Sequence, residues 1–121
     1  MNRNMTTGRP TKKTSLHLYP VVYYRLSELS LATDRPLGFH VVEAIRFFTR
    51  APVYEWRDTL QSAAKKIRDI SAKVVRVERR ALQEACLRAA EYRMQRRPWL
   101  NAAILLYCLT SLDTLETLTG E

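Results

Sequence analysis

The sequence is poor in the residues from which most catalytic and metal sites are built. It has two histidines, two cysteines and three glycines among 121 residues. Neither His17 nor His40 stands at metal-ligand spacing from a cysteine or a carboxylate, so the spacing predicts no metal site. The glycines are scattered and form no phosphate-cradling loop. We therefore expect a protein that is not an enzyme and that uses no metal and no cofactor.

Long apolar runs are also missing. No apolar segment follows the early basic residues, so a signal peptide is not predicted. The longest apolar-rich stretch, from Trp99 to Leu109, is too short and too interrupted to cross a membrane. Cys86 and Cys108 are isolated in helical patterns, which favours small buried thiols in a reducing cytoplasm and leaves a disulfide open. These absences predict a cytoplasmic protein with no membrane partner.

Positive charge is what the chain has in excess. It contains 20 Lys and Arg residues against 12 Asp and Glu residues, a formal net charge of +8. Residues 56–98 hold twelve of the basic residues, whereas residues 99–121 hold none. Such an excess favours a polyanionic partner, either nucleic acid or an anionic surface, although a solvated basic face is an ordinary alternative. Residues 1–12 are basic, lack acids and have few apolar groups, so we expect a flexible arm.

Residues 13–50 predict a short strand followed by two helices. Alternation defines the strand, and proline positions suggest helices from Val21 to Thr33 and from Pro36 or Leu37 to Arg50. A single strand cannot satisfy its own backbone, so it needs a partner, expected to be the same strand of a second copy. The predicted buried face comprises Thr14, Leu16 and Leu18, and the predicted exposed face comprises Lys13, Ser15 and His17.

This segment resembles the ribbon-helix-helix DNA-binding family of the MetJ/Arc type. The strand alternation, Leu26 and Leu29 of the first helix, and the run Val-Val-Glu-Ala-Ile-Arg-Phe-Phe at 41–48 carry the resemblance. The family's usual proline after the strand comes one residue later, at Pro20. Asp34 replaces the frequent turn glycine and tolerates a left-handed backbone.

The resemblance implies an intersubunit antiparallel ribbon with Leu16 and Leu18 buried at the dimer interface. It implies base contacts from the exposed face of the strand in the DNA major groove. It also implies that the second helix begins on a phosphate, with backbone N–H groups as donors. The implied base contacts are Lys13, Ser15 and His17, and the implied phosphate or arm contacts are Arg9, Lys12, Arg35, Leu37 and Gly38.

A second pattern follows residue 53. From Trp56 to Ala81 apolar residues recur at alternating spacings of four and three, which is the 3.5-residue period of a coiled coil. β-Branched residues on this seam favour more than two strands, so we expect a tetramer; the alternative is a hairpin with the chain's own last helix, beginning near Pro98. The predicted seam residues are Ile67, Ile70, Val74 and Val77.

Together these patterns predict a mostly α fold with one N-terminal strand. The expected parts are the arm (1–12), a ribbon-helix-helix domain (13–52) and a helical coiled-coil or hairpin domain for oligomerisation (53–121). The resemblance implies sequence-specific binding of double-stranded DNA by a bacterial, phage-encoded or plasmid-encoded protein at the nucleoid. A transcriptional repressor is the first role. The alternatives are an accessory protein of a conjugative relaxosome or of plasmid partition, with a protein partner on the helical domain, and a coiled-coil adaptor for an acidic protein.

Overall fold

The computed structural model describes residues 13–67 and 73–119, with residues 116–119 described as backbone only. The described chain is mostly helical and contains a two-stranded antiparallel sheet, which confirms the predicted helical class. The predicted arm at 1–12, including Arg9 and Lys12, lies outside the described residues, as does Ile70. In chain order the elements are β1 (Lys13–Leu18), α1 (Pro20–Thr33), α2 (Leu37–Arg50), α3 (Val53–Lys66), β2 (Lys73–Glu78), α4 (Arg79–Glu91) and α5 (Arg96–Thr119).

The strand and the two helices predicted between 13 and 50 are confirmed. Pro20 opens α1 at a position where a missing N–H costs no hydrogen bond. α1 ends at Asp34, whose φ of 57° is left-handed and whose N–H bonds to the carbonyl oxygen of Ser30. Pro36 then precedes α2 with an extended backbone. The short polar side chain of Asp34 explains how this turn forms without glycine.

The prediction of a strand with no partner in its own chain is wrong. β1 pairs antiparallel with β2, and Leu16 lies opposite Val75. The coiled-coil prediction is therefore also wrong for residues 73–78, which are a strand and not a helix. Valines at 74 and 77 satisfy a 3.5-residue seam, but the alternation from Val75 to Glu78 satisfies a strand equally well. β-Branched residues favour the strand, and pairing with β1 satisfies the backbone of both.

The β-helix-helix unit occurs twice in the chain. Adding 59 to the residue number carries Leu16 onto Val75, which is also its cross-strand partner. A pseudo-twofold axis of the two-stranded ribbon therefore passes between these two residues. The same shift carries Asp34 onto Arg93, and both residues have a left-handed backbone, with φ of 57° and 59°. It also carries the residue range of α1 onto that of α4, and the range of α2 onto the first part of α5. Within the 13–50 segment only two positions are identical at this shift, Ala44 with Ala103 and Ile45 with Ile104.

One hydrophobic core joins both units. The inner face of the ribbon is buried against the helices, and α5 packs against α1, α2, α3 and α4. Trp99 is fully buried on α5, with its ring centroid 6.3 Å from that of Phe48 and 5.7 Å from that of Tyr92. The core therefore continues across residue 52, where the sequence suggested a domain boundary. The predicted last helix is confirmed as α5, but α4 ends at Glu91 and does not run to Pro98.

α3 leads from the first unit towards the second. Leu60 on this helix is fully buried, and Trp56 meets Phe48 edge to face with 5.2 Å between ring centroids. Ile67, which follows α3, is 6% exposed. The first turns of the predicted seam are thus helical, but their apolar face packs inside the chain. Among the helices of the described residues, none is long and apolar enough to cross a membrane.

Candidate nucleic-acid interface

The outer face of the ribbon is exposed and mostly polar. Alternation turns four apolar residues inward, where Leu16, Leu18, Val75 and Val77 are at most 5% exposed. The outward side chains form three cross-strand pairs on one surface. These pairs are Lys13 with Glu78, Ser15 with Arg76, and His17 with Val74.

The structure brings the three predicted base-contact residues together on this surface. Lys13, Ser15 and His17 are all exposed. Val74, predicted as a seam residue, is instead 54% exposed beside His17. The other predicted interface residues on the strands and at the end of α3 are buried within the single chain. The ribbon therefore needs no second copy to pair its strands or cover its inner face.

Arg76 is the functional candidate that sequence reasoning missed. The coiled-coil pattern places it on a helix, but it stands in the middle of β2 with its side chain on the outer face. Its Nη2 donates to the carbonyl oxygen of Lys13 at 3.2 Å, which holds the guanidinium along the ribbon. The signal for it was the alternation of two apolar residues, Val75 and Val77, with Arg76 and Glu78.

The N-terminus of α2 lies against β2. A Cβ placed on Gly38 would be 3.2 Å from the carbonyl oxygen of Arg76, so glycine permits this close approach. The first N–H groups of a helix have no intrahelical acceptor, and because α2 begins at Leu37 they belong here to Leu37 and Gly38. Arg35 stands just before this turn, with its guanidinium carbon 4.7 Å from the ring centroid of Phe39.

A cleft lies beside this contact and is lined by both α2 and the ribbon. Three cations and two carboxylates line it, and Arg46 and Glu43 form an exposed ion pair at 3.1 Å. The cations outnumber the carboxylates, and Gly38 in the first turn of α2 also lines the cleft, so the cleft suits an anion. The charged lining residues are Lys13, Glu43, Arg46, Arg76 and Glu78.

The other end of the ribbon meets the N-terminus of α5. Asn101 is fully buried there, and its Oδ1 accepts the N–H of Tyr19 at 2.9 Å. Its Nδ2 donates to the carbonyl oxygens of Arg97 at 3.0 Å and His17 at 3.4 Å. Because every polar atom of the amide is used, Asn101 fixes the end of β1 to α5.

Two arginines begin α5 beside this junction. Arg96 and Arg97 are exposed, and the guanidinium carbon of Arg97 lies 5.3 Å from the ring centroid of Tyr19, the residue that follows β1. The sequence pattern left these arginines between a solvated flank and a track for DNA. Their position at the end of the ribbon makes them candidates for phosphate contacts.

The remaining chemistry of the described residues does not suggest a reactive centre. Burial raises the pKa of the Cys108 thiol to about 12, so it is protonated at neutral pH. Cys86 is an exposed free thiol, contrary to the expectation that both cysteines are buried. Within residues 13–67 and 73–115, no group of three or more His, Cys, Asp and Glu side chains is placed to hold a metal ion. Comparison of the chain with protein-family models, curated proteins and solved structures gave no match.

Proposed function

We propose that this protein binds double-stranded DNA in a sequence-specific manner by placing its β-ribbon in the major groove. The observation that carries this proposal is a two-stranded antiparallel ribbon whose apolar face is buried on helices and whose polar face is exposed. A two-stranded ribbon fits the major groove, which is about 12 Å wide. The formal charge of +8 favours the same partner.

Base recognition would come from the outward side chains. Arg76 presents a planar fork of donors that matches O6 and N7 of guanine, and Lys13 can donate to the same atoms. Ser15 can donate or accept a hydrogen bond, and His17 offers a ring nitrogen to a base edge. Ser15 and Arg76 are cross-strand neighbours, and Lys13 and His17 lie on either side of Ser15 along β1, so the four residues share one surface.

Phosphate contacts would orient the ribbon. The free N–H groups of Leu37 and Gly38 would bind one phosphate at the start of α2, and Arg35 would add charge there. Arg96 and Arg97 would contact the backbone at the other end of the ribbon. Such contacts add affinity with little sequence preference. Binding releases counterions from the DNA, and because this release is less favourable at high salt, the affinity falls as salt rises.

A single chain is the DNA-reading unit in this proposal. Both strands and both helix pairs come from one polypeptide, so binding requires no prior dimerisation. The predicted tetramer rested on a seam through Val74 and Val77, which the two-stranded sheet replaces. The coiled-coil adaptor loses the same support.

The biological role follows from where the sites lie. A transcriptional repressor would occupy sites that overlap promoters. An accessory protein of conjugative transfer or partition would occupy repeated sites at a transfer origin or centromere. Mapping bound sites across the parent replicon by crosslinking and sequencing would distinguish these roles.

The binding experiment compares two arginine variants of the full chain. Arg76→Ala removes the central donor of the ribbon, and Arg50→Ala removes the same charge at the far end of α2, about 20 Å along the helix from its N-terminus. Titration would compare binding to a site enriched from random duplex DNA with binding to the same site carrying a one-base mismatch. Arg76→Ala should reduce the difference between the two binding free energies by about 1–3 kcal/mol. Arg50→Ala should keep the discrimination. Equal discrimination in both variants would exclude Arg76 from base recognition, and failure to enrich any site would refute the proposed function.

A further inference from the structure

The ribbon has a symmetric backbone but an asymmetric outer surface. The pseudo-twofold axis passes between Leu16 and Val75, so each outward position on β1 has an equivalent on β2. The shift of 59 residues pairs Ser15 with Val74 as equivalents, and His17 with Arg76. Neither equivalent pair is chemically alike. In a dimer of identical chains these positions would carry identical side chains, and the DNA site would tend to share the twofold symmetry.

The two halves of the ribbon surface therefore offer different chemistry. One half presents Ser15 and Arg76 side by side, with Lys13 and Glu78 at its outer edge. The other half presents His17 beside Val74, whose side chain is an exposed apolar group. Arg76 suits the acceptors of guanine, whereas a valine suits the C5-methyl group of thymine.

The helix N-termini beside the two halves of the ribbon also differ. At the start of α2 the equivalent positions are Leu37 and Gly38, which offer backbone donors close to β2. At the start of α5 they are Arg96 and Arg97, which offer side-chain charge. The asymmetry thus extends from the base-facing surface to the candidate phosphate contacts.

We propose that the DNA target is a non-palindromic site, with guanine required under Ser15 and Arg76 and a thymine methyl group favoured under Val74. This inference rests on the proposed function, because it specifies the sequence class that the same ribbon would recognise. A single chain can recognise such a site because each half of its ribbon is encoded separately.

Selection from random duplex DNA tests the proposal with the wild-type chain and one double variant. Ser15→Val with His17→Arg gives β1 the outward side chains that β2 already carries at the equivalent positions. We expect the wild type to enrich a site without twofold symmetry. The double variant presents one arginine and one valine in each half, so it should enrich a palindrome with a guanine in both halves. Both changes are at exposed positions, and thermal melting would verify that the double variant remains folded.

Arg76→Ala provides a second measurement that does not depend on the double variant. It should relax the base preference in one half of the wild-type site by about ten- to one-hundred-fold and leave the other half unchanged. A palindromic wild-type site, or equal relaxation of both halves by Arg76→Ala, would overturn the inference while leaving DNA binding intact. Enrichment of no site at all would instead refute the proposed function on which the inference rests.

Discussion

At the scale of single residues, several side chains that look solvated or reactive in the sequence prove to be structural. Arg88 belongs to the basic stretch at 56–98, but its Nε donates to the carbonyl oxygen of Phe48 at 2.8 Å and its Nη2 donates to that of Ala51. It therefore satisfies the C-terminal end of α2. Its equivalent in the first unit is the buried Leu29, so the two units use this position in different ways.

His40 is buried and takes part in a chain of hydrogen bonds. The hydroxyl of Thr33 donates to the carbonyl oxygen of Leu29 at 2.8 Å, so it accepts from Nε2–H of His40 at 2.6 Å. Nδ1 is then the acceptor for the hydroxyl of Tyr107 at 3.3 Å. Protonation of Nδ1 would require the Tyr107 hydroxyl to change from donor to acceptor. Burial lowers the pKa of His40 below its usual value of 6.5; Glu43 opposes this shift and Arg35 adds to it.

The lowered pKa predicts a loss of stability in acid. Above pH 6.5 the imidazole is neutral in both states and contributes no pH dependence. As the pH falls below 6.5, the unfolded chain binds a proton that the folded chain resists, so the free energy of unfolding decreases until the lowered pKa is passed. Urea denaturation at pH 7.5 and 5.5 should show a smaller decrease for His40→Asn than for the wild type. Identical decreases would show that His40 does not contribute to the acid sensitivity.

At the scale of elements, the sequence predicted the first unit well and the second poorly. The first unit has Pro20, Asp34 and Pro36 at its boundaries, and each residue has a stereochemical reason to stand there. The second unit breaks between α4 and α5 at Arg93, which adopts φ of 59° although it is not a usual left-handed residue. With no turn residue before Pro98, the helical pattern appeared continuous.

Only the β1 half of the candidate site could be predicted from the sequence. The alternation of β1 exposes Lys13, Ser15 and His17, and this pattern was recognisable without a structure. Arg76 was hidden because the valines of β2 also matched a helical seam. The two units share few identical residues, so no repeat signalled that a second strand should be sought.

Two valine substitutions distinguish a strand at residues 73–78 from a coiled-coil helix there. A seam would bury both Val74 and Val77, whereas the ribbon leaves Val74 54% exposed and Val77 1% exposed. Val77→Asp should reduce the free energy of unfolding by more than about 3 kcal/mol, because it buries an unpaired carboxylate. Val74→Asp should change it by less than about 1 kcal/mol. Urea denaturation measures both, and equal losses would contradict the strand assignment.

At the scale of the whole molecule, two units with the same element order lie in one chain, as two copies would in a symmetric dimer, but with different side chains. α5 extends the second unit and packs on every other helix, so the two halves share one core instead of meeting at an interface. Because the two strands belong to one chain, their outward side chains can differ while their inward side chains share one core. The proposed DNA-binding unit is then a single polypeptide, formed at any protein concentration.

The number of chains bound to one minimal DNA site tests this account most directly. Native mass spectrometry of the full chain, mixed with a duplex that carries a single site enriched by selection, would count them. We expect one chain per site, because β1 and β2 of the same polypeptide complete the ribbon. A minimal complex that always contains two chains would contradict it.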